Sequence, residues 1–234
     1  MLKILSTLTF IIIISLFSIM ASASQATTIL ISIDGLSQKQ LNEFKPKALT
    51  MLANKGLSAQ ALLPVYPSKT FPNHLSMVTG VHPSRHGIIH NKFYRRDKDK
   101  SYSLGAGKDD PSWVKIKPIW VLAVEQGIKT ASYFWPESES TLFGKTPTYF
   151  YRYNQQTSNE RRINKVVEWA TMVEEKKPKL ITSYFSIVDT ANHDFGTQSK
   201  QVKQAISTVD NLIAKLVSQL ESRGVKFNLI IVSD

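Results

Sequence analysis

Apolar positions along this 234-residue chain follow two periods, and their alternation predicts a layered α/β protein. Thr28 to Ile33 is a near-continuous β-branched run that ends at Asp34 and reads as a buried parallel strand. Helical spacing takes over in Leu41 to Gly56, where Leu41, Phe44, Ala48, Leu49, Leu52 and Ala53 share a face and Gly56 supplies the stop. Leu57 to Val65 reads as a returning strand. Pro72 suits a first helical turn, where its missing N–H has no partner, so a helix is expected to begin beside Thr70. Thr79-Gly80 and Pro83 to Gly87 read as turns, and the polar, basic stretch Lys92 to Lys117 as a surface excursion, either solvated or lining the entrance to a site.

The pattern then repeats. Pro118 to Gln126 predicts a helix closed by Gly127, and Lys129 to Trp135 a strand. Tyr149, Tyr151 and Tyr153 alternate as one face of a short strand. Glu160 to Glu174 is amphipathic, with Ile163, Val166, Val167, Ala170 and Val173 on one side. Leu180 to Val188 is a second buried strand running into Asp189. Gln201 to Arg223 is the clearest helix, and Phe227 to Val232 a third apolar strand, followed by Asp234.

Met1 to Ala26 interrupts this order. Lys3, the apolar run Ile4 to Met20 and the small residues Ala21-Ser22-Ala23 have the layout of a cleaved signal peptide, with an uncleaved anchor as the alternative. Export to a periplasmic or extracellular space is expected in either case. The chain has no cysteine, so the exported domain is expected to rely on its core rather than on disulfides. The formal charge is +11, and loss of the signal removes only Lys3. A basic surface attracts anions, but the lysines are dispersed and no nucleic-acid-binding motif is present.

The candidate chemistry lies at the ends of strands, where open α/β sheets build their sites. Asp34 is placed there either as a hard metal ligand or as a cap of the next helix. A helix N-terminus at Thr70 favours negative charge beside its hydroxyl, although a capping role is the simpler alternative. Asp189 and His193 are four apart, so one helical turn sets an oxygen and a nitrogen donor on the same side. The string Ser68 to Gly87, SKTFPNHLSMVTGVHPSRHG, carries more. Its T-F-P-N-H-x-S-x-V-T-G run followed by P-x-x-H-G-I resembles the type I phosphodiesterase/nucleotide pyrophosphatase family of the alkaline phosphatase superfamily.

That resemblance implies an alkaline-phosphatase-like fold, a mostly parallel sheet flanked by helices, with residues 27–234 as the N-terminal part of the catalytic domain. It implies metal-dependent hydrolysis of phosphodiester or pyrophosphate bonds in small substrates such as nucleotides. Thr70 takes the nucleophile's place, and two zinc ions are implied. Asp34, Thr70, Asp189, His193 and Asp234 match metal ligands, with Asn192 standing where the family has glycine. Asn91 matches a substrate-binding amide, able to donate to a charged phosphoryl oxygen. Phe71 and Tyr153 match residues that clamp a nucleobase, and Tyr184 is a further pocket candidate; core packing is the alternative for each. None of His74, His82, His86 and His90 matches a ligand. Two ligand histidines expected beyond Asp234 are missing, so we expect a longer enzyme of which this is a part, or else a non-catalytic exported binding domain with an incomplete metal site.

Overall fold

In the computed structural model, residues 26–234 are described; the signal segment read from Met1 to Ala26 falls almost wholly outside them. The centre is a five-stranded sheet. Its strands are β1 (Thr27–Ile33), β4 (Thr130–Tyr133), β5 (Tyr149–Tyr151), β6 (Leu180–Phe185) and β7 (Phe227–Val232). Their order is β5-β4-β6-β1-β7 with every pairing parallel. A parallel sheet needs cover on both faces, and the apolar pattern of the strands provides for it. Ile29, Ile31 and Ile33 of β1 are fully buried on one face, with Ile181 and Phe185 beside them.

That face is covered by α6 (Asn159–Ala170), α7 (Ile187–Phe195) and α8 (Lys200–Ser222). The apolar stripe of α8 is continuous from Val202 to Leu220, as its periodicity requires. Asp210 lies within that buried stripe because it serves another helix. Residues Gln38–Phe44 form α1 and Lys47–Lys55 form α2, whose N-cap Pro46 offers no side-chain cap. The Asp210 carboxylate accepts from the backbone N–H of Ala48 and Leu49, at 3.1 and 2.8 Å, and so satisfies that open helix end.

The pair α1 and α2 corrects the single helix expected from Leu41 to Gly56. Lys45 is left-handed, with φ 43°, and Pro46 has no N–H to continue the ladder. The strand expected over Leu57 to Val65 does not form either. Leu57, Leu62 and Leu63 are exposed, and the segment is extended without a strand partner among the described residues. Val65 is held instead by its N–H donating to Asn73 Oδ1 at 2.8 Å.

The other face of the sheet carries a second core. Its helices are α3 (Thr70–Thr79), the four-residue α4 (Pro83–His86) where turns were expected, and α5 (Ile119–Glu125). The remainder comes from the stretch read as a surface excursion. Residues Phe93–Arg95 and Lys100–Tyr102 pair as the antiparallel hairpin β2-β3, and two short 3₁₀ turns follow. Tyr102, Trp113 and Val114 of this stretch are buried with Leu75, Trp120 and Trp135. Tyr102 and Trp113 face in while Tyr94 and most of the charges face out, a distinction that mean polarity conceals.

Gly87 ties the two halves of this second core. Its φ is +93°, and a Cβ there would lie 2.6 Å from the Trp113 carbonyl oxygen. Gly87→Ala is therefore expected to destabilise the protein by about 3 kcal/mol, combining backbone strain with overpacking. A urea midpoint indistinguishable from wild type would refute the close approach.

Candidate active site

Because all five strands of the central sheet are parallel, their carboxyl ends share one edge, and a pocket of about 730 Å³ opens there. β1 delivers Asp34 at its end, and Asp234 follows β7 by two residues. β6 stops at Phe185, earlier than the expected Val188, so Asp189 sits in the first turn of α7 and not on a strand. Asp34, Thr70, Asn91, Asp189, His193 and Asp234 all line this pocket. So do Phe71, Tyr153 and Tyr184.

Thr70 is the first residue of α3, with Lys69 at the N-cap position. This end of the helix is fixed from two sides. The Asn91 Oδ1 accepts from the Phe71 N–H at 3.0 Å, which leaves the amide NH₂ to donate. The fully buried ring of His74 spans from α3 to β1. Its Nδ1–H donates to the Thr70 carbonyl at 2.7 Å, so its Nε2 accepts from the Ser32 hydroxyl, also at 2.7 Å. Burial holds His74 below its ordinary pKa although Asp234 is 3.9 Å away. His86 is likewise buried and depressed to about 4, bonded to Ser76, Pro72 and Ile88. Both histidines brace α3.

The acids press on one another. Asp34 is buried and pushed up to about 9, chiefly by burial and then by the adjoining Asp234. The Tyr184 hydroxyl donates to Asp34 Oδ2 and opposes the shift. Asp189 is also raised, by burial and by Asp234, with His193 and Lys69 acting the other way. The one-turn spacing sets His193 Nε2 3.4 Å from Asp189 Oδ1, with the imidazole mostly exposed.

Among the described residues no three His, Cys, Asp or Glu side chains converge as a ready metal cage. The donor chemistry still fits divalent cations. Carboxylates and imidazole are oxygen and nitrogen donors of the kind zinc takes, and acids crowded out of water require either a proton or a cation.

Gly35 and Asn192 set how close α7 comes to β1. Gly35 has φ +71°, and a Cβ on it would lie 2.9 Å from the Asp189 Cα. Asn192 Nδ2 donates to the Gly35 carbonyl at 2.8 Å, while its Oδ1 accepts from Gln40 Nε2 at 2.7 Å. The Asn in place of the expected glycine thus pins the turn that carries Asp34.

The aromatic residues differ in availability. Phe71 meets Tyr102 edge-on at 6.3 Å, and Tyr153, half exposed, meets Phe134 at 5.1 Å. Tyr184 is buried edge-on against His74 at 5.2 Å, with its hydroxyl committed to Asp34. Leu104, Gly105 and Lys108 also reach the pocket, as do Glu137 and Glu139. Leu104, Gly105 and Lys108 come from the stretch expected either to be solvated or to line an entrance, and they take the second part; Glu137 and Glu139, from the loop after β4, carried no signal in the sequence.

The fold is alkaline-phosphatase-like: murine ectonucleotide pyrophosphatase/phosphodiesterase 5 superposes with a TM-score of 0.84 at 28% identity, over 90% of this chain and 57% of that one. That structure is of an inactive form with threonine replaced by alanine, in complex with AMP. The chain belongs to the type I phosphodiesterase/nucleotide pyrophosphatase family, whose model matches residues 28–234. It is 37% identical over 212 residues to ectonucleotide pyrophosphatase/phosphodiesterase family member 1 of Mus musculus, covering 88% of this chain and 23% of that protein. Venom phosphodiesterase 2 of Crotalus adamanteus is 34% identical over 219 residues, covering 92% of this chain and 27% of the venom protein. The chain thus spans about a quarter of the length of these relatives.

Proposed function

We propose that the protein hydrolyses phosphodiester or pyrophosphate bonds of nucleotides and related esters, with Thr70 as the nucleophile. The observation that carries this is the placement of the Thr70 hydroxyl at the N-terminus of α3, on a pocket walled by Asp34, Asp189 and Asp234. The positive end of the helix dipole favours an anionic phosphoryl group beside that hydroxyl. A structural neighbour holds AMP in a form inactivated by a threonine-to-alanine change, which supports an essential threonine in this fold.

In this reading, Thr70 Oγ1 attacks phosphorus as the bond to the leaving oxygen breaks, and the hydroxyl proton passes in net to that departing oxygen. Water then hydrolyses the Thr70 phosphoester and restores the hydroxyl. The Asn91 NH₂ donates to a phosphoryl oxygen as charge builds there. Lys69 brings positive charge to the same edge. Phe71, Leu104 and Tyr153 offer apolar faces to the organic group of the substrate. Asp34, Asp234 and the Asp189–His193 pair would hold divalent cations, for which we propose zinc; bound, these would neutralise phosphoryl charge and lower the pKa of the nucleophile.

Among the described residues no helix is long and apolar enough to cross a membrane. Relatives named as ectoenzymes and venom enzymes support an exported protein, periplasmic or secreted. Family membership does not favour a non-catalytic binding domain.

The test is cation removal. Dialysis of the full-length protein against a strong chelator is expected to abolish release of p-nitrophenolate from thymidine 5′-(p-nitrophenyl phosphate), with zinc restoring it. Full activity in the cation-free protein would overturn the reading.

A further inference from the structure

Glu137 is a buried acid that the chemistry at phosphorus does not use. It is 2% exposed and has φ +64°, a left-handed conformation that costs a non-glycine residue about 1 kcal/mol or more. Phe134, three residues earlier, is also left-handed, with φ 70°. The Phe134 ring is held by the buried Arg162 guanidinium, 4.9 Å from its centroid. Two strained residues at the mouth of one pocket mark a loop whose shape is imposed by its surroundings.

Three groups donate to the Glu137 carboxylate. The Tyr102 hydroxyl reaches Oε1 at 2.5 Å, the Ser140 hydroxyl reaches Oε2 at 2.6 Å and the Gly107 N–H lies 3.4 Å from Oε1. The neighbouring Glu139 carboxylate acts against its ionisation. The contact with Gly107 is close, since a Cβ on that glycine would lie 2.1 Å from Glu137 Oε2. The backbone of Gly105 bonds the same Tyr102 hydroxyl. Glu137 therefore holds the Gly107 end of the Gly105–Gly107 turn directly and the Gly105 end through Tyr102; on its flanks stand Leu104, an exposed apolar side chain, and the cationic Lys108. Two residues on, Glu139 Oε2 accepts from the Tyr153 N–H at 2.9 Å. Burial raises the pKa of Glu137 against these donors, so the residue costs the fold free energy while it shapes the pocket.

We propose that Glu137 is a positioning residue that sets affinity for the organic group esterified to the phosphate, by holding the Leu104–Lys108 segment as one wall of the pocket. This rests on the phosphodiesterase reading above. It separates recognition of the organic group from the chemistry at Thr70.

The test compares two esters that share a p-nitrophenolate leaving group, one carrying thymidine and the other a methyl group in its place. Glu137→Gly suits its φ and removes the grip, Tyr102→Phe removes one donor from the opposite side, and Glu137→Gln keeps an acceptor. In the full-length protein, Glu137→Gly and Tyr102→Phe are expected to raise KM for the thymidine ester roughly tenfold or more with kcat little changed. The methyl ester is expected to be hydrolysed as by wild type, and Glu137→Gln to fall between. Equal losses on both esters, or an unchanged KM for the thymidine ester, would overturn the proposal. Amide hydrogen exchange over residues 103–110 supplies a readout independent of turnover: it must speed up in both Glu137→Gly and Tyr102→Phe, and unchanged protection overturns the proposal. If wild type hydrolyses neither ester, the catalytic reading fails and the exchange result alone decides whether Glu137 holds the wall.

Discussion

Thr70→Ala is expected to lower turnover of a nucleoside phosphodiester by about 10³-fold or more, because it removes the atom proposed to attack phosphorus. The fold has little reason to notice. The N-cap position belongs to Lys69, and the contact that Thr70 makes with His74 uses its backbone carbonyl, which alanine keeps. Thermal unfolding and zinc binding should stay close to wild type. Thr70→Ser, which preserves the hydroxyl, should retain much of the rate. The comparison is made by p-nitrophenolate release under saturating zinc; an alanine variant turning over at a rate near wild type would exclude Thr70 as nucleophile.

Asp34→Asn is expected to move activity and stability in opposite directions. Burial and Asp234 push the folded-state pKa of Asp34 from 3.8 up to about 9. Between those limits the folded, cation-free chain keeps a proton that the unfolded chain releases, so stability falls as pH rises across that window. Asparagine removes the ionisable group and can still accept from the Tyr184 hydroxyl through its Oδ1. With cations removed at pH 8, Asp34→Asn should be more stable than wild type by about 2 kcal/mol. The difference should close near pH 4, where both chains carry a neutral side chain. Hydrolysis should nonetheless fall by about 100-fold or more, since the carboxylate that would hold a cation is lost. Denaturant titrations at the two pH values decide it: a variant less stable than wild type at pH 8 would mean that the Asp34 charge is compensated in the folded protein.

Much of this fold is legible from local pattern. The 3.6-residue spacing in Gln201 to Arg223 matches α8 to within a residue at each end, and the β-branched run before Asp34 is β1. Failures cluster where a pattern has no partner. Leu57 to Val65 is apolar enough for a strand, but a strand needs a hydrogen-bonding edge, and none of the five takes it. Polarity in Lys92 to Lys117 suggested solvation, yet Tyr102 and Trp113 find a core built by residues from Leu75 to Leu142. Asp189 was legible as sharing a helical turn with His193, but not the end of β6 at Phe185 or the start of α7 at Ile187.

The sequence by itself determined the strands of the central sheet and the longer helices between them, the helix start at Thr70 and the acids at or beyond strand ends, because periodicity, capping and proline act within a few residues. The tertiary structure alone decided which strands are neighbours, that Tyr184 meets Asp34 from 150 residues away, and that Glu137 is gripped by Tyr102, 35 residues earlier. The reason is physical: burial and hydrogen-bond partners belong to the assembled surface, so a carboxylate reads the same in the chain whether it will be solvated, share a proton or brace a pocket wall.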